Sequence, residues 1–214
     1  MKLVFSLFLV LIFKCAISQG SYMGLGFGAV YAKYYQPTFD KIKPALSDSL
    51  YLTTSYKQHV KAPGLAFNAF LGVERSYQIS MNFQFMLAAE TLSDTAARRF
   101  NLAEYSTNIN VVGGLYLAKW LRMDMGIGVN YMRVKIKDIG GFNGFERQVK
   151  DDYINLYFSP CIEFASKKAG GGISISPFYN LGVTRFNFLD VFGFDNTKTR
   201  LNTMGVDVKF LLKG

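Results

Sequence analysis

Residues 76–90 read SYQISMNFQFMLAAE, and this stretch decides the fold. Tyr77, Ile79, Met81, Phe83, Phe85 and Leu87 fall on one side of an extended chain, and Ser76, Gln78, Ser80, Asn82 and Gln84 on the other, because successive side chains of a strand point to opposite faces. The same alternation recurs along the chain. It gives eight expected strands: Tyr22 to Tyr31, Gly64 to Val73, Ser76 to Ala89, Glu104 to Ala118, Trp120 to Val134, Tyr153 to Ala165, Gly172 to Thr184 and Arg200 to Leu212. Most exceed an ordinary soluble strand and match the roughly 9 to 11 tilted residues of a transmembrane strand, with overhang on one side.

The connections alternate in length. Glu74-Arg75, Lys119 and the run Ser166 to Gly171 are short, whereas Ala32 to Pro63, Glu90 to Ala103, Asp138 to Asp152 and Arg185 to Thr199 are long. This asymmetry belongs to an up-and-down barrel with both termini on one side and its long loops extracellular. A soluble eight-stranded barrel, apolar inside, has the same period. Composition separates the two. The polar face carries Gly24, Gly26, Gly28, Asn68, Gly72, Asn108, Asn110, Gly126, Gly128, Asn130, Ser174, Ser176, Asn180 and Gly205. Small uncharged residues suit a narrow lumen, whereas a solvent face would hold far more Lys and Glu. The apolar face has Trp120, Tyr31, Tyr105, Tyr131 and Tyr179 as candidates for aromatic girdles. The expected fold class is all-β: an eight-stranded antiparallel up-and-down transmembrane β-barrel.

The N-terminus reads as an export signal. Met1-Lys2 precedes an apolar run from Leu3 to Phe13, and Ala16-Ile17-Ser18 places small residues at −3 and −1 of a Ser18/Gln19 cut. The run is far short of the roughly 20 residues of a spanning helix. Lys14 sits where a lipid-attachment motif before Cys15 needs a small residue, so lipidation is not expected. Two parts follow: a cleaved signal peptide, 1–18, and a barrel domain, 19–214. Cleavage leaves Cys161 without a disulfide partner and lowers the formal net charge of +9 by two. An exported basic chain meets anionic lipid headgroups and acidic polysaccharide rather than nucleic acid.

Two irregularities stand out. Pro160 and Pro177 fall on the apolar face of strands joined by the Ser166 to Gly171 turn, nearly opposite each other. Each lacks a ladder donor, so a bulge or kink is expected there. After Tyr131 the fifth strand changes phase, with Arg133, Lys135 and Lys137 on the side that had been apolar. The strand is expected to have left the membrane by that point.

Charges on the polar face are few: Glu74, Arg122, Asp124, Glu163, Asp207 and Lys209 lie near the short-turn ends and are expected to meet at the periplasmic end of the lumen. Buried charges must be paired. Eight strands leave room only for side chains, which favours an internal plug over an ion relay, a gate or an open pore. His59 is the one histidine, and Asp40, Asp48, Ser47, Ser49 and Ser55 share its loop. These are ingredients of acyl transfer, yet no nucleophile elbow or fixed spacing orders them. With one His and two Cys no metal cluster is expected. Gly24-Leu25-Gly26-Phe27-Gly28 alternates as a strand with no helix after it, which removes a dinucleotide reading. No catalytic residues and no cofactor are expected.

The long loops are basic: Lys41, Lys43, Lys57 and Lys61 in the first, and Lys135, Lys137, Arg147 and Lys150 around the third, placed to meet lipid phosphate or acidic glycans. In the fourth, Phe186, Phe188, Leu189, Val191, Phe192 and Phe194 crowd together. An apolar cluster of that size marks a contact surface, one that caps the barrel mouth, docks on a partner or dips into the membrane.

With the export signal, eight alternating strands and the terminal Met204-Gly205-Val206-Asp207-Val208-Lys209-Phe210, the chain resembles the small outer-membrane β-barrels of the OmpA/OmpX and PorT-like families. It departs from them in ending Leu211-Leu212-Lys213-Gly214 rather than on an aromatic residue. The resemblance implies a Gram-negative outer membrane, periplasmic termini, insertion by the outer-membrane assembly machinery and a role in envelope structure, adhesion or secretion. The expected partners are outer-membrane lipid, including lipopolysaccharide, and a protein of the envelope. The leading expectation is a non-enzymatic interaction or accessory subunit acting through its extracellular loops. Alternatives are a barrel for binding or passive uptake of small apolar ligands, and a lipid-modifying enzyme using His59.

Overall fold

The computed structural model describes residues 21–35, 59–73, 76–93, 99–139, 146–165, 171–185 and 200–214. Eight antiparallel strands, β1 (Ser21–Tyr35), β2 (His59–Val73), β3 (Tyr77–Ser93), β4 (Arg99–Ala118), β5 (Leu121–Asp138), β6 (Glu146–Ala165), β7 (Gly171–Gly182) and β8 (Asn202–Lys213), pair in sequence order. β1 also pairs with β8, which closes the barrel. Closure removes the free edges from the lower part of the wall, the condition for a sheet in a medium that cannot satisfy free backbone groups.

The two faces are inverted relative to a soluble protein. Leu25 and Leu115 are 61% and 65% exposed, while Gln84 and Asn108 are fully buried. The apolar side of residues 77–87 faces outward, and Gln78, Ser80, Asn82 and Gln84 face the lumen. A continuous outer wall of Leu, Ile, Phe and Met around a polar interior is stable in hydrocarbon and not in water. Tyr31, Tyr105, Tyr131 and Tyr179 lie on this wall toward the long-loop end, and Trp120 at the short-turn end.

Six strands overrun their expected limits at the long-loop end, whereas β7 stops at Gly182 and β8 starts at Asn202, each two residues short of them. β1 reaches Tyr35 and β2 starts at His59; β3 reaches Ser93, β4 starts at Arg99, β5 reaches Asp138 and β6 starts at Glu146. At the short-turn end Ser76 and Trp120 are turn residues rather than strand starts, Trp120 sharing its turn with Lys119. The 18 residues of β5 span ~60 Å along the strand and ~45 Å along the barrel axis at a tilt of ~40°, against an apolar band of about 25 Å. The excess stands above the band.

There the chemistry inverts but the geometry does not. Contrary to the expected change of phase in β5, alternation runs on without a break: Arg133, Lys135 and Lys137 continue the outward row of Tyr131, while Met132, Val134 and Ile136 are buried inside. Outside the hydrocarbon the outer face must be polar, so the apolar residues of the same strand move to the interior.

Pairing at Pro160 and Pro177 stops without slipping. β6 and β7 pair through Phe158↔Tyr179, resume at Ile162↔Ile175, and keep one register across the gap. The expected bulge is therefore absent, because each strand contributes the same number of residues; the Ser159 hydroxyl donates to the Pro177 carbonyl at 2.7 Å in place of a ladder bond. A second interruption is permanent. β2 and β3 pair only as far as Gly64↔Met86, while β2 stays with β1 up to His59↔Tyr35 and β3 with β4 up to Ser93↔Arg99. Above Gly64 the wall forks.

Candidate functional site

The interior is layered. At the short-turn end Arg122 and Asp124, two residues apart on β5 and hence on one face, form a fork-to-fork pair: Nε to Oδ1 at 2.6 Å and Nη2 to Oδ2 at 2.9 Å. The other guanidinium nitrogen, Nη1, donates to Gln78 Oε1 at 2.8 Å, to the Tyr116 hydroxyl at 3.2 Å and to Glu163 Oε1. Glu163 Oε2 accepts from Lys213 Nζ at 2.9 Å and from Tyr116 at 3.1 Å. Tyr22 donates to Gln78 Oε1 at 3.0 Å and meets the Tyr116 hydroxyl at 3.0 Å. Room for the guanidinium comes from Gly114, where a Cβ would lie 2.1 Å from Asp124 Oδ1 and 2.6 Å from Arg122 Cδ. Charges this deep persist because each has a partner of opposite sign and further donors or acceptors.

Mid-barrel, Asp207 on β8 accepts from Gln84 Nε2 on β3 at 3.1 and 3.0 Å and from Lys209 at 3.0 Å. Asn108 on β4 donates to Gln84 Oε1 at 3.0 Å, and Asn155 on β6 donates to Asn108 Oδ1 at 3.2 Å. One chain of side chains thus crosses the lumen from β8 to β6. Above it lies a largely apolar layer containing Tyr34, Met86, Leu102, Met132, Val134 and Tyr153, all buried, with the Glu104 carboxyl buried among them.

Arg122, Asp124 and Glu163 come together as expected from their positions. Asp207 and Lys209 form a separate pair with Gln84, because they sit higher on β8 than Lys213, which supplies the cation beside Glu163. Glu74 lies outside the described residues, as do Lys41, Lys43 and Lys57, the catalytic-type residues Asp40, Ser47, Asp48, Ser49 and Ser55, and the aromatic run Phe186, Phe188, Leu189, Val191, Phe192 and Phe194. His59 opens β2 and Arg147 lies in β6, with neither side chain described. Lys61, Lys135, Lys137 and Lys150 are strand rather than loop residues, since the sheet continues above the band; all four point outward.

Sequence reasoning missed Lys213, Gln78, Tyr22 and Tyr116. Lys213 shares the phase of Asp207 and Lys209, a signal that was present but masked by the unusual chain end. Arg133, noted in the sequence only for the phase of β5, has its guanidinium 5.9 Å from the Tyr105 ring and donates to the Gln148 carboxamide, at 2.8 Å from Nε. Among the described residues no group of His, Cys, Asp and Glu is placed to hold a metal ion, and Cys161 is buried and unpaired.

An apolar wall closed on eight strands around a polar, ion-paired interior defines a transmembrane β-barrel of the small outer-membrane kind. The fold is similar to that of Ail, the attachment invasion locus protein of Yersinia pestis, solved alone and with the heparin analogue sucrose octasulfate. The TM-scores are 0.50 and 0.51, at 8% identity over 91% of this chain and 100% of that one. Neisserial surface protein A aligns at a TM-score of 0.46 and 10% identity, over 91% of this chain and 97% of that one. No family model and no curated protein matches the sequence.

Proposed function

We propose that the chain is an outer-membrane barrel that acts as a non-enzymatic interaction subunit of an envelope complex, through its long-loop end. Residues 1–18 serve as the export signal, the termini are periplasmic and the long loops extracellular. The observation that carries this reading is the crossing of the lumen by Gln84 and Asp207 beneath an apolar layer. A barrel filled in this way has no route for solute, so its work is done on its outside.

Two features support the long-loop end as the working surface. The sheet of β3 to β6 rises above the apolar band and carries Arg133, Lys135, Lys137 and Lys150 on its outer face. The aromatic run from Phe186 to Phe194 belongs to the connection at that end. Ail, which shares the fold, was crystallised with a polyanion, and an outward basic face on this chain has the matching charge. The test is a mild-detergent pull-down of the tagged protein from native membranes, with stoichiometry read by mass spectrometry. A partner at near-equal amount, lost when residues 186–194 are replaced by a Gly/Ser linker, is the expected result. Recovery as a lone barrel contradicts it.

A further inference from the structure

The fork between β2 and β3 gives the outer wall a shaped surface among the described residues. A groove of about 340 Å³ runs beneath it, lined by Pro63, Leu65, Phe85, Leu87 and Tyr105 and almost wholly apolar. Pro63 stands at the fork itself; it has no N–H to offer β3, which removes one cause for the strands to stay together. In hydrocarbon, strand edges without ladder partners are costly, so the fork belongs at the level of the lipid headgroups, with the groove extending from it into the acyl region.

Cations stand at that level on both sides. Lys61 is twelve residues above Val73 on β2 and points outward; Arg133 is twelve above Leu121 on β5. Leu87, Tyr105, Arg133 and Lys150 are cross-strand partners in one row across β3 to β6. The row climbs as it goes, since Leu87 is ten residues above its turn and Lys150 fifteen. The groove thus leads upward into the basic side. Arg133 is positioned there by neutral groups, the Gln148 carboxamide and the Tyr105 ring, and among the described residues no carboxylate touches its guanidinium, whereas the neighbouring Lys135 is in direct contact with Glu146 at 2.8 Å. From the β3 edge of the fork to β5 is two strand spacings, roughly 10 Å.

We infer that this face is a seat for one phosphate-bearing lipid of the leaflet at the long-loop end. An acyl chain lies in the groove against Pro63, Leu65, Phe85 and Leu87, and the phosphate is held by Arg133 with Lys61 on the opposite flank. Charge complementarity selects the occupant. An apolar groove alone would accept any chain, but a guanidinium at its mouth that no described carboxylate contacts favours a phosphate in bidentate geometry. The inference rests on the membrane-spanning reading of the wall and not on a partner at the loops.

The test uses the full-length protein in detergent and native mass spectrometry with two probes, diphosphoryl lipid A and phosphatidylcholine. One lipid A per barrel is expected, retained under activation that strips phosphatidylcholine. Arg133→Gln raises the dissociation constant about tenfold, the equivalent of one charged hydrogen-bonded contact; Lys61→Gln weakens binding less, and Lys119→Gln at the short-turn end leaves it unchanged. Retained heat-modifiability on a gel establishes that each variant is folded. Excess inorganic phosphate does not displace the lipid, because the chain contributes to holding it. Equal retention of both lipids, indifference to Arg133→Gln, or displacement by inorganic phosphate overturns the inference. So does a groove covered by a second copy, seen as a dimer cross-linked through Leu87→Cys.

Discussion

Gln84 and Asp207, on strands that are not neighbours, meet across the barrel: the Gln84 amide donates to both carboxylate oxygens, at 3.1 and 3.0 Å. A bond between β3 and β8 can form only through the lumen. It therefore reports that the interior is filled at this level, with Lys209 neutralising the carboxylate and Asn108 completing Gln84.

The first prediction concerns that pair. Asp207→Ala leaves the buried Lys209 ammonium without its anion, which costs about 3 to 5 kcal/mol for a broken buried pair. Urea unfolding in lipid vesicles measures it. The double variant Asp207→Asn with Lys209→Met removes both charges together and loses much less, so the two changes are not additive.

At Arg122 shape matters as well as charge. Arg122→Lys keeps the cation but cannot reach Asp124 with two nitrogens while serving Gln78 and Glu163 with a third. A loss of about 1.5 to 3 kcal/mol is expected, read by the same unfolding assay, with Arg122→Ala losing more.

The outer wall gives a test that a soluble barrel would fail. Ile127 points outward in the lower half of β5. Ile127→Arg costs roughly 2 to 4 kcal/mol when the site is near the bilayer midplane. Lys137→Leu, above the band, changes stability little. In a water-soluble barrel the signs would be reversed.

Acid should loosen the raised hairpin of β5 and β6. The Lys135 ammonium, 2.8 Å away, holds the Glu146 carboxyl below its ordinary value of 4.5, through a hydrogen bond first and charge second. A carboxyl lowered on folding contributes stability that is complete above its unfolded value and is lost as pH falls through the lowered folded value. Amide exchange at the Glu146 end of β6 therefore quickens relative to mid-strand as pH drops below 4.5. Lys135→Gln, which removes the largest cause and leaves the weaker pull of Lys137 and Arg133, shrinks the difference.

Much of this was legible in the chain. Gln84 and Asn108 could be read as lumenal because they alternate with Phe and Ile, and the barrel's closure followed from strand number and connection length. Other parts were not. The run Met132 to Ile136 reads as a lost phase, because alternation reports which residues share a face and not which medium that face meets; its inversion above the band needs the membrane boundary to be known. The fork at Gly64 was equally hidden. Where a ladder ends depends on both strands at once, and Pro63 alone marks a change without saying which neighbour departs. Lys213 shows the opposite failing: its phase was plain, but its position at the chain end drew attention from its role.

A lumen filled by its own side chains leaves the outside of the barrel as the working surface. Planar-bilayer conductance of the refolded wild-type chain tests this most directly. A silent membrane under applied voltage, with protein incorporation verified by heat-modifiability, is the predicted result. Stable unitary current steps from the wild-type chain would contradict it.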